Sequence, residues 1–256
     1  MKKFLTIGIG VLIIGVIAII VLAILNLGSI VKTATETYGP RITKTEVRLR
    51  SADISILSGS GSLNKFLLGN PEGFTMPSAL ECETIWVSVV KKSLTTDTII
   101  IEEVIVDGPI ISYEKRGNTD NFKTILNNIK QTVASEKNAT PAEQEATGSE
   151  KSIQINNFIV KNGRINLGGS LLEVFGADKG VGIAMPDIHM KDIGKDKKIT
   201  PAEAFALVLA EMTSDVTGTV TQFGKQLSET LGKAVDEVGK GTESLGSTVK
   251  GFFGSE

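Results

Sequence analysis

The sequence predicts a mainly β protein with added helices, carried behind a membrane anchor. Three observations lead there. Phe4 to Leu27 is an uncharged run, and residues 42 to about 113, resumed from Ser152, alternate apolar and polar side chains with β-branched enrichment. From Thr200 the apolar spacing changes to three and four. Alternation with β-branched residues is the mark of half-buried strands, and the longer spacing that of an amphipathic helix.

Composition narrows the function classes. The 256 residues suffice for one or two domains, and 27 Lys+Arg against 29 Asp+Glu give a net charge of −2. That balance excludes a broadly basic nucleic-acid binder. Cys82 and His189 are single, so an intrachain disulfide, a cysteine zinc site and a multi-histidine metal site are excluded. No metal or other cofactor is expected. Aromatic residues make up 5%, so the core must be built from Ile, Val and Leu.

Met1-Lys2-Lys3 precedes the uncharged run. Its 24 residues would make roughly 36 Å of helix, enough to cross the hydrocarbon core. A cleaved signal peptide is the rival reading. Its apolar region would be about 7–15 residues ending at a small-x-small site, and Leu25-Asn26-Leu27-Gly28 offers no clear one. Lys2 and Lys3 give a modest bias to a cytoplasmic N-terminus, with everything beyond about residue 28 outside. Gly8, Gly10 and Gly15 are not spaced as a dimerising GxxxG face.

Residues 28–41 read as a short helical or extended stalk ending at Gly39-Pro40. Strands follow: Thr45 to Arg50 and Asp53 to Ile56 alternate, Ile85 to Val90 is apolar on both faces, and Ile99, Ile101 and Val104 to Val106 are β-branched. Asp120 to Ile129 reads as a short amphipathic helix with Phe122, Ile125, Leu126 and Ile129 on one face. Residues 134–151 lose their large apolar side chains and read as a mobile linker.

An internal repeat appears at a shift of 54 residues. Ile99, Ile101, Val104, Ile105, Val106, Ile111 and Tyr113 fall on Ile153, Ile155, Phe158, Ile159, Val160, Ile165 and Leu167, and Gly108-Pro109 falls on Asn162-Gly163. This reads as a duplicated hairpin, with two merely similar hairpins of one sheet as the plainer alternative. Further strands are expected at Leu171–Phe175 and Gly182–Ile193. Thr200-Pro201-Ala202-Glu203 is a capping box with proline at the first helical position. The apolar stripe from Phe205 to Phe252 that follows is interrupted by Gly218, Gly224, Gly232 and others. It has three readings: a cover or rim packing for a groove in the sheet, a membrane contact, or an assembly surface.

Candidate chemistry is sparse. Asp187, His189 and Lys191 alternate with Ile188 and Met190, which reads as the wet face of a strand. Gly59-Ser60-Gly61 lacks the lysine and third glycine of a phosphate loop. Cys82 lies between two glutamates that would raise its thiol pKa, and Glu102 and Glu103 point to opposite faces. No catalytic residue is assigned, and the chain does not read as an enzyme.

The stretch Gly61-Ser62-Leu63-Asn64-Lys65-Phe66-Leu67-Leu68-Gly69-Asn70-Pro71-Glu72-Gly73-Phe74 resembles the AsmA-like family of bacterial envelope proteins. In that family a single N-terminal anchor leads into strands and an Asn-Pro-x-Gly-Phe turn. Ser78-Ala79-Leu80, the run Ile85 to Val89, Val106 to Ile110, and Asn121-Phe122 at a helix start fit the same order. The resemblance covers roughly residues 1–195. It implies antiparallel β-sheet curled into a half-pipe groove with an apolar inner face, and a role in lipid transport or outer-membrane assembly. It does not account for the C-terminal helices.

The expected organisation is therefore a cytoplasmic stub at 1–3, an anchor at 4–27, a stalk at 28–41, an AsmA-like β domain at 42–195 and an amphipathic helical region at 200–256. The expected protein spans the bacterial inner membrane once, with its body in the periplasm. Ile99, Ile101, Ile153 and Ile155 are the candidates for a groove row in contact with phospholipid acyl chains. Asn70, Pro71, Gly73 and Phe74 are the candidate structural turn. Envelope proteins are the other expected partners, and a scaffold without lipid cargo is the alternative function.

Overall fold

The computed structural model describes residues 26–137, 151–169 and 182–238. The stub at 1–3, the anchor up to residue 25, the strand expected at Leu171–Phe175, most of the linker and the chain beyond Val238 lie outside the described residues. Among the described residues no helix is long and apolar enough to cross a membrane.

In chain order the elements are α1 (Leu27–Thr43), β1 (Val47–Ser55), β2 (Ser60–Leu68), β3 (Leu80–Val89), a 3-10 turn (Lys91–Thr95), β4 (Thr98–Asp107), β5 (Ile110–Arg116) and β6 (Thr119–Asp120). Then come α2 (Asn121–Lys137), β7 (Ser152–Lys161), β8 (Arg164–Gly169), β9 (Gly182–Ala184), β10 (Ile188–Ile193) and α3 (Pro201–Val238). The protein is mainly β with helices, as the patterning predicts.

The sheet itself differs from the expectation. It is large, uncurled and mixed, where the family resemblance implied an antiparallel half-pipe. β4 runs parallel to β7 and β5 parallel to β8. Parallel neighbours need a crossover connection. The chain supplies one, because α2 leaves the end of β5 and packs back against it before β7 begins.

The parallel register is the internal repeat made spatial. Ile99 lies beside Ile153, Ile101 beside Ile155 and Val106 beside Val160, and Ile111 lies beside Ile165 and Tyr113 beside Leu167. Each strand segment of the first copy thus sits next to its own counterpart. The repeat is not a hairpin, however. Leu80 pairs with Ile111 in the same antiparallel register that pairs Ile85 with Val106, so β4 and β5 follow one another in one direction along β3. Gly108-Pro109 is a break in one long strand, not a reversal. A type I′ hairpin turn needs positive φ at both central residues, which proline cannot give. Asn162-Gly163 is a common hairpin pair, but only Asn162 takes positive φ (56°).

β7–β8 and β10–β9 are broken in the same way, and all the breaks fall on one transverse line. Lys65 (φ 51°), Gly108 (φ 65°) and Asn162 (φ 56°) occupy it in their strands. Pro186 continues it between β9 and β10. Across this fault the inward parity inverts. Val104 and Val106 are buried above it and Ile111 and Tyr113 below, and Phe158 and Val160 are followed by Ile165 and Leu167. Because every strand inverts at the same height, the ladder survives. Gly108 N–H donates to Lys161 O at 2.8 Å, Arg164 N–H to Pro109 O at 2.9 Å, and Met185 N–H to Gly163 O at 2.9 Å. Side chains sew the line together, with the Asn162 amide donating to Asp107 Oδ1 at 2.7 Å. That bond and the neighbouring Lys161 hold the Asp107 carboxyl below its ordinary pKa.

One face of the sheet is covered by helices. The N–H of Lys123 donates to Asp120 Oδ1 at 2.8 Å, which caps α2. α2 buries the predicted face of Phe122, Ile125, Leu126 and Ile129. It continues to Lys137, so residues 134–137, expected in the linker, are helical. α3 opens on the expected capping box: Glu203 N–H donates to Thr200 Oγ at 3.2 Å and Thr200 N–H to Glu203 Oε2 at 2.8 Å. It runs as a single helix through Gly218, Gly224 and Gly232. Val208, Leu209, Met212, Val216 and Val220 join sheet residues Ile155, Phe158 and Leu167 in one core.

The expected stalk is α1, laid along the free edge of β1 rather than extended from the body. Glu36 Oε1 accepts the N–H of Leu49 at 3.0 Å, and Lys32, paired to Glu36, donates to Leu49 O. An ion pair thus occupies both backbone groups of one edge residue, which blunts an edge open to strand addition. The Glu36 carboxyl is held below its usual pKa, first by Lys32 and then by the Leu49 N–H. A depressed folded-state pKa stabilises above the unfolded value of about 4.3 and is lost as pH falls through the folded value. The protection factor of the Leu49 amide in hydrogen exchange should therefore hold at neutral pH and fall in acid. In a Glu36→Ala variant it should be low at every pH.

Candidate functional site

The expected groove residues come together as a row, but not on an open surface. Ile99 and Ile153 are half-buried neighbours, and half-buried Ile101 lies beside Ile155 across the parallel ladder. Ile155 is 7% exposed and lies in the core, with Ile101 and Ile153 packed against that core. Ile199, just before α3, bridges to Ile153 and is buried with it. The row thus sits under the start of α3.

The turn at Asn70 to Phe74 is tied into a polar knot. Asn70 donates to Met76 O at 2.7 Å and to Ser78 O at 3.0 Å, which closes the β2–β3 loop on itself. Pro71 is buried, and Phe74 N–H reaches Pro71 O at 3.3 Å. Gly73 has φ 91°, and a Cβ there would strike the Arg116 guanidinium, which donates to Gly73 O at 2.7 Å. Two buried residues complete the knot: Glu114, which sequence reasoning missed, and Asn121, read there only as a helix start. Asn121 donates to Asn70 Oδ1 and to Ser112 O, each at 2.7 Å, and accepts the Glu114 N–H at 3.1 Å. The Glu114 carboxylate accepts Thr75 N–H at 2.8 Å, Thr75 Oγ at 3.0 Å and Met76 N–H at 2.9 Å. The Asn70, Asn121 and Glu114 side chains of the knot are thus all engaged by other parts of the chain.

Clefts open to solvent on two parts of the described body. The first, about 690 Å³, lies on the sheet. Ser62, Trp86 and Ile105 form one cross-strand row of it and Ser60, Ser88 and Glu103 the next, with Gly28 and Ser29 of α1 at its end. Trp86 is 55% exposed there. Its emission should accordingly lie near that of a solvated indole and be strongly quenched by acrylamide in the folded protein. A blue-shifted, protected tryptophan would place this face in a core. The second cleft, about 620 Å³, lies between α2 and α3. Val133, Ile199, Ala206 and Leu207 give it an apolar lining, Leu207 being 49% exposed, and Lys130 and Lys197 stand at its rim.

Cys82, Tyr113 and His189 line neither cleft. Cys82 is buried, and desolvation, followed by the Glu81 charge, pushes its thiol up to about 12. A neutral buried thiol is a poor nucleophile. Burial likewise raises the Tyr113 hydroxyl, with the Asp120 charge adding to it. His189 is exposed beside Asn157 Oδ1 at 3.2 Å, and Ile188 faces the core, as the alternation predicts. Ile105 and Ile159 separate His189 from Trp86 along their common row. Among the described residues no group of three or more His, Cys, Asp and Glu is placed to hold a metal ion.

Comparison of the chain with protein-family models, with curated proteins and with solved structures finds no match.

Proposed function

We propose that the chain is a single-pass, membrane-anchored protein of the bacterial envelope that acts as a non-catalytic scaffold or interaction module. The observation that carries this reading is the filling of the apolar sheet face by the protein's own helices. Ile155 and Phe158 share one core with Val208, Leu209 and Met212. A face already packed to that extent has no room for acyl chains. The anchor rests on the uncharged run at 4–27 and places the body outside the cytoplasm. The non-catalytic reading rests on the buried, neutral thiol of Cys82 and on the pairing of exposed His189 with Asn157. Native mass spectrometry of the gently extracted full chain should give a lipid-free mass. A reporter fused after Glu256 that is active only in the cytoplasm would overturn the topology.

A second reading, lipid handling, draws on the cleft between α2 and α3. Its apolar lining and exposed Leu207 suit an acyl chain, and it lies on the helices rather than along the isoleucine row. A stoichiometric lipid adduct that disappears in Leu207→Asp would favour this reading over the first.

A further inference from the structure

We infer that the end of the sheet carrying the β1–β2 hairpin docks on the surface of the bilayer that holds the anchor. The inference rests on the anchor reading above. α1 and β1 are antiparallel and side by side: Gly28 abuts Ala52, Glu36 binds Leu49 and Gly39 abuts Val47. Continuing β1 beyond Ala52 therefore leads back toward the side from which residues 4–27 enter. β1 runs three residues beyond Ala52 to Ser55, so the hairpin reaches about 10 Å past Gly28, at roughly 3.3 Å per residue, before the turn at 56–59 that carries Leu57.

That projecting tip has the composition of an interfacial contact. Ile54 to Asn64 carries no charge, and Ile54, Ile56 and Leu57 are all exposed, Leu57 at 89%. Large apolar side chains gathered at a projecting tip mark an interaction site. The β3–β4 connection, the start of β7 and the β10–α3 loop lie at the same end of the sheet. They bring Lys91, Lys92, Lys151, Lys195, Lys197 and Lys198, all exposed, against Asp97, Asp192, Asp196 and Glu203. Lys91 is held at the tip by its bond to Leu57 O, 2.9 Å long. Lys91 stands beside the apolar tip, Asp53 adjoins Ile54, and the other lysines extend along the same end of the sheet toward β10. An apolar tip at one corner of a lysine-rich end suits a bilayer containing anionic lipid, in which the tip enters the interface and the lysines meet phosphates.

The test uses the full chain in vesicles of phosphatidylcholine and phosphatidylglycerol that carry nitroxide lipids. Cys82 is buried, so a Leu57→Cys variant takes an environment-sensitive fluorophore selectively. A Glu72→Cys variant marks the exposed β2–β3 loop at the opposite end. The label at position 57 should be quenched by the nitroxide lipids and the label at 72 should not. The quenching should weaken in a Lys92→Glu, Lys197→Glu, Lys198→Glu background. Equal quenching at both positions in protein that co-floats with the vesicles would overturn the docking and leave the anchor intact. Protein that leaves the vesicles on alkaline washing would overturn the anchor instead. A label at 57 that shifts to the blue without lipid quenching would show a protein occupant and also overturn the proposal.

Discussion

Replacing Ile101 and Ile155 together by aspartate is expected to unfold the β body. Ile155 is 7% exposed, and Ile101 lies beside it in the parallel ladder, packed against the same core. A carboxylate at either position has no cation to pair with in a core of Ile, Val, Leu and Phe. Burying such a charge costs several kcal/mol, and two of them approach the total stability of a domain, about 5–15 kcal/mol. Circular dichroism of the double variant should lose its β signal and its cooperative melt. Ile56→Asp at the exposed hairpin tip is the matched control and should shift stability by no more than about 0.5 kcal/mol. A double variant that kept a native melt would show that the row faces solvent and not α3.

Asn121→Ala is expected to be the most damaging single truncation of a polar side chain. The amide is fully buried and ties α2 to two segments by three bonds, one to the loop at Asn70 and two to β5 at the Ser112 carbonyl and the Glu114 N–H. Alanine removes all three bonds and leaves the partners buried without replacements. Each unsatisfied group costs about 1–3 kcal/mol, and partial relaxation brings the expected total to about 3–5 kcal/mol. For a body of this size that corresponds to a fall in Tm of roughly 10 °C. Differential scanning calorimetry measures it directly. A change within a degree or two would mean that water replaces the amide.

How far the sequence reveals this fold varies element by element. Alternation and β-branching made the strands legible, and the one-sided apolar residues of α2 and the Thr200 box made the helices legible. The shift of 54 residues pointed to the duplicated strands, and their pairing keeps that shift. Direction was not legible, because Gly108-Pro109 and Asn162-Gly163 are compatible with a reversal or with a break. Only the neighbours in the ladder decide between them. The isoleucine row was legible as apolar, but apolar residues look the same beneath a helix as along an open trough. The stripe of α3 gave its buried face without saying what it covers. Lys32 and Glu36 stand four residues apart, and nothing local in the sequence shows that both reach the backbone of Leu49. The bonds of Glu114 and Asn121 to the β2–β3 loop were not legible because those partners are 38 to 51 residues away in the chain.

The fault across the strands has a consequence for how the sheet chooses its register. A duplicated sequence invites error, because sliding one copy by two residues would set Ile99 beside Ile155 and still leave apolar side chains facing the core. Burial alone would hardly distinguish the slipped pairing. The left-handed positions do. The same slide would carry Asn162 away from Gly108 and set each parity inversion against an uninverted neighbour, so inward residues on one strand would meet outward residues on the next. Backbone conformation thereby acts as a key that only one alignment fits. The repeat retains glycine at one copy and asparagine at the other, both residues that tolerate positive φ. Replacing that asparagine by valine would remove the key from one copy, and mispaired, aggregation-prone chains should accumulate on refolding before any large loss of native stability is seen.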